Sequence, residues 1–190
     1  STAATEAERD KASHLPYLQL IGSLLYLTMT RPDICYHMSI LCSFMHDPSP
    51  ACYYAAIDLL LYIVHTSDTH ITFTGSTSVP RGVDASCHAS VAAGGGLLAY
   101  SDSSWRNPNR LGFNSFGYVI YLFGAPVSYA SKRLKVIAHS SAEAEYAAAS
   151  YACREIVFVR NVLADLGFQV SGPTVLAVDN QAAIKIAENH

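Results

Sequence analysis

The sequence predicts an α/β chain: a small helical region, then a mixed sheet with helices packed on it, in the order βββαβα. Three observations carry this. Apolar residues recur at helical spacing in three runs between residues 15 and 65. Three short strand-like segments, the second rich in aromatic and β-branched residues and the third alternating, then follow one another between residues 97 and 131, separated by turn-forming residues. A long helical run from Ser140 gives way to a fourth strand-like segment and a last helix.

Size and composition fit that architecture. Of 190 residues, 51% are apolar and 14% charged, which is enough to build a core and too few charges for a disordered chain. A net charge of −3 and a pI near 6.2 argue against a strongly basic nucleic-acid binder. They do not exclude a nuclease that holds phosphates through metal ions. The five cysteines, Cys35, Cys42, Cys52, Cys87 and Cys153, are odd in number, form no C-x-x-C pair and do not fall with histidines at zinc-ligand spacing. They predict reduced, mostly buried thiols in an intracellular protein. The polar opening residues resemble no signal peptide, and no apolar run has spanning length, so no membrane association is expected.

In chain order, residues 1–13 read as a flexible leader. The helical region, 14–74, opens with a run through Ile21, Leu24, Leu25 and Leu27, which Arg31-Pro32-Asp33 interrupts. A second run carries Ile34, Met38, Leu41 and Phe44. At Asp47-Pro48-Ser49-Pro50 the chain stops and restarts, since Ser49 suits a cap and Pro50 the first helical position. The third run ends near His65, and Ile71-Thr72-Phe73-Thr74 alternates like a brief strand. Residues 75–96, rich in Gly, Ser, Ala and Thr, read as a linker. The strand region then begins: Leu97 to Asp102 first, Phe116 to Phe123 second, a turn at Gly124-Ala125-Pro126, and Val127 to Ser131 third. The long helix runs from Ser140 to a natural stop at Gly167. Thr174 to Val178 is the fourth strand, and Gln181 to Glu188 the last helix.

Carboxylates mark the ends of these elements. Two strands run into aspartates, Asp102 and Asp179, and the long helix begins with Glu143 and Glu145. If the first and fourth strands are parallel neighbours, their aspartates share one sheet edge, where open α/β sheets place their sites. Clustered carboxylates repel one another unless a divalent cation lies among them, and an all-oxygen set suits Mg²⁺ or Mn²⁺. Helical phase separates the glutamates. With Ala142 at zero, Tyr146, Ala149, Cys153 and Ile156 fall within roughly 40°, a predicted buried stripe. Glu145 lies at the edge of that stripe. Glu143 lies on the opposite flank, three residues after Ser140, at capping-box spacing. The cap is therefore assigned to Glu143, and the metal to Glu145.

The motifs Leu20-Ile21-Gly22-Ser23-Leu24-Leu25-Tyr26-Leu27, Thr30-Arg31-Pro32-Asp33-Ile34, Phe44-Met45-His46-Asp47-Pro48, Tyr100-Ser101-Asp102, Ser140-Ser141-Ala142-Glu143-Ala144-Glu145-Tyr146 and Asp179-Asn180-Gln181-Ala182-Ala183-Ile184 occur in this order. Together they resemble the copia-type retrotransposon Pol polyprotein, over the tail of its reverse transcriptase and its ribonuclease H domain. The resemblance spans about residues 15–190. It implies a ribonuclease H-like mixed sheet in residues 97–190 and a thumb- or connection-like role for residues 14–74. It also implies Mg²⁺- or Mn²⁺-dependent hydrolysis of the RNA strand of an RNA–DNA hybrid. Asp102, Glu145 and Asp179 match the family's catalytic and metal-binding positions, and Ser140, Ser141, Asn180 and Gln181 flank them as substrate-backbone contacts. The implied partners are the hybrid and the remainder of a reverse transcriptase polyprotein, and the implied location is cytoplasmic virus-like particles or the nucleus.

Relatives continue past His190 into a further strand and a helix carrying a fourth acid. The expectation is therefore a domain lacking its last strand and helix, with a weakly held second ion, low turnover and an exposed sheet edge open to self-association. The loop after Trp105 also departs from the family, with Arg106, Arg110, Leu111 and Phe113 in place of acids and paired arginines. Two function classes follow: a weakened nuclease domain, or a non-catalytic domesticated remnant serving as a protein- or nucleic-acid-binding module. Retention of Asp102, Glu145 and Asp179 favours the first.

Overall fold

A computed structural model of the chain describes residues 14–73, 75, 91, 96–105 and 114–189. The leader 1–13, nearly all of the linker 75–96 and the loop residues 106–113 lie outside the described residues. The chain divides into two compact units, 1–71 and 72–190.

The first unit is helical. α1 is Tyr17–Leu27, a 3₁₀ turn covers Pro32–Ile34, α2 is Cys35–Ser43 and α3 is Pro50–His65. Pro32 stands at the first position of the 3₁₀ turn, where its missing N–H would have no intrahelical partner. Ser49 Oγ accepts from the Cys52 N–H at 3.4 Å and Pro50 occupies the first turn, as the sequence predicts. Tyr17, Ile21 and Leu24 from α1 meet Ile34, Met38 and Leu41, with Ala56 and Leu59 from α3, in one core. The buried Tyr17 hydroxyl donates to Leu41 O at 2.7 Å. Arg31, 6% exposed, is bidentate to Asp33 (2.7 and 2.9 Å) and donates to Thr66 O and Oγ1, so it ties the interhelical turn to the end of α3. Residues 71–73 are not in a strand. Their alternation is local, and a strand needs a partner to receive its ladder hydrogen bonds.

The second unit holds β1 (Leu97–Ser104), β2 (Ser115–Leu122), β3 (Ala125–Arg133), α4 (Ser141–Asp165), β4 (Val175–Ala177) and α5 (Gln181–Glu188). The sheet order is β3-β2-β1-β4. β1–β2 and β2–β3 are antiparallel, and β4 joins β1 in parallel, Leu98 opposite Val175 and Tyr100 opposite Ala177. The predicted βββαβα order and mixed sheet are therefore present. The β2–β3 turn is tighter than expected. Only Phe123 and Gly124 form it, with φ of 50° and 83°, the left-handed pair that a two-residue hairpin demands. Ala125 and Pro126 already belong to β3, an edge strand where proline's missing donor is tolerated. β1 also continues past Asp102 to Ser104.

α4 lies across one face of the sheet. It packs Ile156 on Leu97, Ala99 and Ile120, and Ala144 and Ala148 on Phe116 and Leu134. Its end is the predicted stop: Gly167 has φ of 85°, Gly167 N–H bonds to Ala164 O, and Phe168 N–H bonds to Leu163 O at 2.8 Å. The buried stripe is not the predicted one. Ala144, Glu145, Ala148, Ala152, Ile156 and Leu163 are buried, whereas Tyr146 and Cys153 are exposed. The stripe is turned roughly 80° from the expected phase, so Glu145 lies within it and not at its edge. The alanines let the helix approach the sheet closely, and the larger Tyr146 and Cys153 fall outside. The four described cysteines are free thiols, but Cys35, Cys42 and Cys52 are half-buried and Cys153 is exposed, not the buried set expected.

Candidate metal centre

β1 and β4 are parallel, so both deliver their following residues to one end of the sheet, and α4, running back from β3, starts at that end. This brings together Asp102 from β1, Glu145 from the second turn of α4 and Asp179 two residues beyond β4. One carboxylate oxygen from each lies within 4.8 Å of the others. Asp102 and Asp179 are exposed, while Glu145 is 5% exposed.

The carboxyl of Glu145 is held on one side only. The Ser103 N–H and the Ser103 hydroxyl both donate to Glu145 Oε1 at 3.0 Å. Glu145 Oε2 is buried with no hydrogen-bond partner. Burial pushes the carboxyl above its ordinary pKa; the two Ser103 bonds pull it down, and the negative charges of Asp102 and Asp179 push it up again. An unpartnered buried carboxylate oxygen beside two more carboxylates is unfavourable unless a proton or a cation meets it. Three oxygen donors with no nitrogen or sulfur fit a hard divalent ion.

The other predicted site residues stand around this cluster. Ser140 caps α4, its Oγ accepting from the Glu143 N–H at 3.2 Å, and Ser141 is the exposed first residue of the helix. Glu143 does belong to the cap, but its carboxylate accepts from the His139 N–H at 2.7 Å, one residue before Ser140. Asn180 caps α5, with Oδ1 accepting from the Ala182 and Ala183 N–H groups, and Gln181 is exposed beside it. Sequence reasoning missed Ser103. The signal was its place directly after Asp102: alternation along β1 turns it to the opposite face, the face that α4 covers.

Several known proteins are similar to this chain. It is 33% identical over 173 residues to the retrovirus-related Pol polyprotein from transposon RE2 of Arabidopsis thaliana, covering 91% of this chain and 11% of that protein. It is 27% identical over 186 residues to the corresponding polyprotein from transposon TNT 1-94 of Nicotiana tabacum, covering 97% of this chain and 13% of that one. It is also 31% identical over 147 residues to the secreted RxLR effector protein 161 of Plasmopara viticola, covering 77% of this chain and 92% of the effector. The chain thus spans about a tenth of the length of the polyproteins it matches. No protein-family model matches it, and no solved structure does. Matches to these two transposon polyproteins across more than nine-tenths of the chain agree with its ordered motifs: it belongs to the copia-type retrotransposon Pol polyprotein family.

Proposed function

We propose that residues 97–190 are a ribonuclease H-like domain that hydrolyses the RNA strand of RNA–DNA hybrids with Mg²⁺ or Mn²⁺. The observation that carries this is the meeting of Asp102, Glu145 and Asp179 at one end of a mixed sheet, with one buried oxygen left unpartnered. Glu145 would hold an ion from beneath, its other oxygen fixed by Ser103. Asp102 and Asp179 would hold it from the solvent side, where a phosphodiester can approach. A divalent ion at such a site activates water and neutralises charge on the phosphate. Ser140, Ser141, Asn180 and Gln181, at the starts of two helices facing the same end, offer the strand backbone hydroxyl, amide and N–H donors. In this reading residues 14–74 are the polymerase's thumb- or connection-like region, joined by a linker over 75–96. The domain works beside the rest of a reverse transcriptase, in cytoplasmic particles or the nucleus.

The test is cleavage of a labelled RNA–DNA hybrid in Mg²⁺ or Mn²⁺ by the wild-type chain and by Asp102→Asn. Cleavage abolished by the substitution is expected, and cleavage that survives it refutes the site. A second reading, a non-catalytic binding module, draws support from the similarity to a protein named as a secreted effector, 92% of which this chain covers. That reading requires intact hybrid after incubation with the wild type in either ion.

A further inference from the structure

Lys132, Arg133 and Lys135 form a basic segment at and just beyond the end of β3. The chain has 12 lysines and arginines and a net charge of −3, yet three of these cations fall within four residues. All three are exposed. The other cations among the described residues of this unit are Arg154, Arg160 and Lys185. Arg154 lies over the Tyr151 ring, 4.6 Å from its centroid, and Arg160 is bonded to the α4–β4 connection.

The sheet fixes where the segment stands. Lys132 is opposite Phe116, and Phe116 is opposite Ser103; Arg133 is opposite Ser115, and Ser115 is opposite Ser104. Each therefore shares a cross-strand row with one of the two residues just after Asp102, and the pleat turns Lys132 to the face of Ser103 and Arg133 to the face of Asp102. They lie two strands away, a span of roughly 10 Å. Lys135 continues past the end of β3, into the connection that leads to Ser140 and α4. Across this sheet end the cations occupy one side, β1 the middle, and Asp179 the other side. A small neutral or monovalent substrate would have no use for cations placed so far from the carboxylates. A polyanion with phosphates at regular intervals would use both. It can sit with one phosphate over the acids while neighbouring phosphates rest on the lysines.

We propose that Lys132 and Lys135, with Arg133 on the other face of the edge strand β3, grip phosphates and set the lie of a nucleic-acid strand across the sheet end, with the scissile phosphate over Asp102, Glu145 and Asp179. This rests on the nuclease reading above. It also locates the electrostatic footprint that the acidic overall balance of the chain conceals, confined to one side of the site.

The test is equilibrium binding of a short labelled RNA–DNA hybrid to the full chain carrying Asp102→Asn, in Mg²⁺, over a series of salt concentrations. Adding Lys132→Ala and Lys135→Ala is expected to weaken binding and to lower the slope of log affinity against log salt by about two, near one per phosphate contact removed. Arg154→Ala, which removes one charge farther along α4, is expected to leave the slope unchanged. Mn²⁺ affinity and the melting midpoint of the double variant should match the parent, since both lysines are exposed. Hybrid binding with an unaltered slope overturns the gripping surface and leaves the nuclease reading standing. Absence of hybrid binding at every salt concentration overturns both.

Discussion

Glu145 answers two opposing demands: burial favours its proton, and the two Ser103 donors favour its charge. Replacing Ser103 with Ala removes the hydroxyl donor and keeps the backbone one. The expected loss is about 1 kcal/mol in holding the charged carboxylate, or about fivefold in Mn²⁺ affinity by calorimetric titration. Ser103→Thr, which keeps a hydroxyl, should restore most of it. The same carboxyl gives a pH signature. Its folded pKa lies above the ordinary value of 4.5, so between the two the folded chain binds more protons than the unfolded one. Stability from this group is therefore full below 4.5 and is lost as pH rises through the raised value. Thermal melting of the cation-free protein should show that fall, Glu145→Gln should flatten it, and added Mg²⁺ should oppose it.

At the scale of elements, β4 pairs with β1 over only three residues, yet it delivers Asp179. Arg160 compensates from α4. Its guanidinium donates to Val170 O, Gly172 O and Thr174 Oγ1 at 2.8–2.9 Å, pinning the connection that feeds β4. Arg160→Ala is expected to destabilise the unit by about 2 kcal/mol and to speed amide exchange at Val175, Leu176 and Ala177 above all others in the sheet. Arg160→Lys should rescue little, since an ammonium cannot reproduce the planar fork. What was legible in the sequence follows the range of the forces involved. Ser49-Pro50, Ser140 with Glu143, and Gly167 act within a few residues of themselves, and their caps and stop stand near where the sequence put them. The face of α4 did not, because nearly every position from Ala142 to Cys153 is small or apolar, and periodicity alone cannot choose among them. Contact with β1 chooses. The alternation at residues 71–73 makes no strand for the same reason, as pairing is decided by distant residues. The carboxylate cluster was legible because a parallel β1–β4 pair suffices to join two strand-end aspartates. Ser103 was not, because its bond to Glu145 exists only after α4 has docked.

At the scale of the molecule, two units with separate cores predict two unfolding transitions. The single tryptophan, Trp105, belongs to the second unit, where its Nε1–H donates to Ala138 O at 3.2 Å. Calorimetry should resolve two heat-absorption peaks, tryptophan fluorescence should follow only one, and Mg²⁺ should raise that one alone, because a ligand stabilises only the fold that binds it. A single transition tracked by both probes would show the cores to be coupled.

The row of Ala144, Ala148 and Ala152 beneath α4 sets more than packing density. It is the gauge that fixes how far Glu145 stands from Asp102. A methyl group is the smallest spacer a side chain with a Cβ can offer, so any larger residue there lifts the helix and carries the glutamate with it. Copies of this chain can therefore lose the centre while keeping all three acids, through a change as small as alanine to valine at position 148. In judging which members of the family keep the three carboxylates together, the alanines should be read with them.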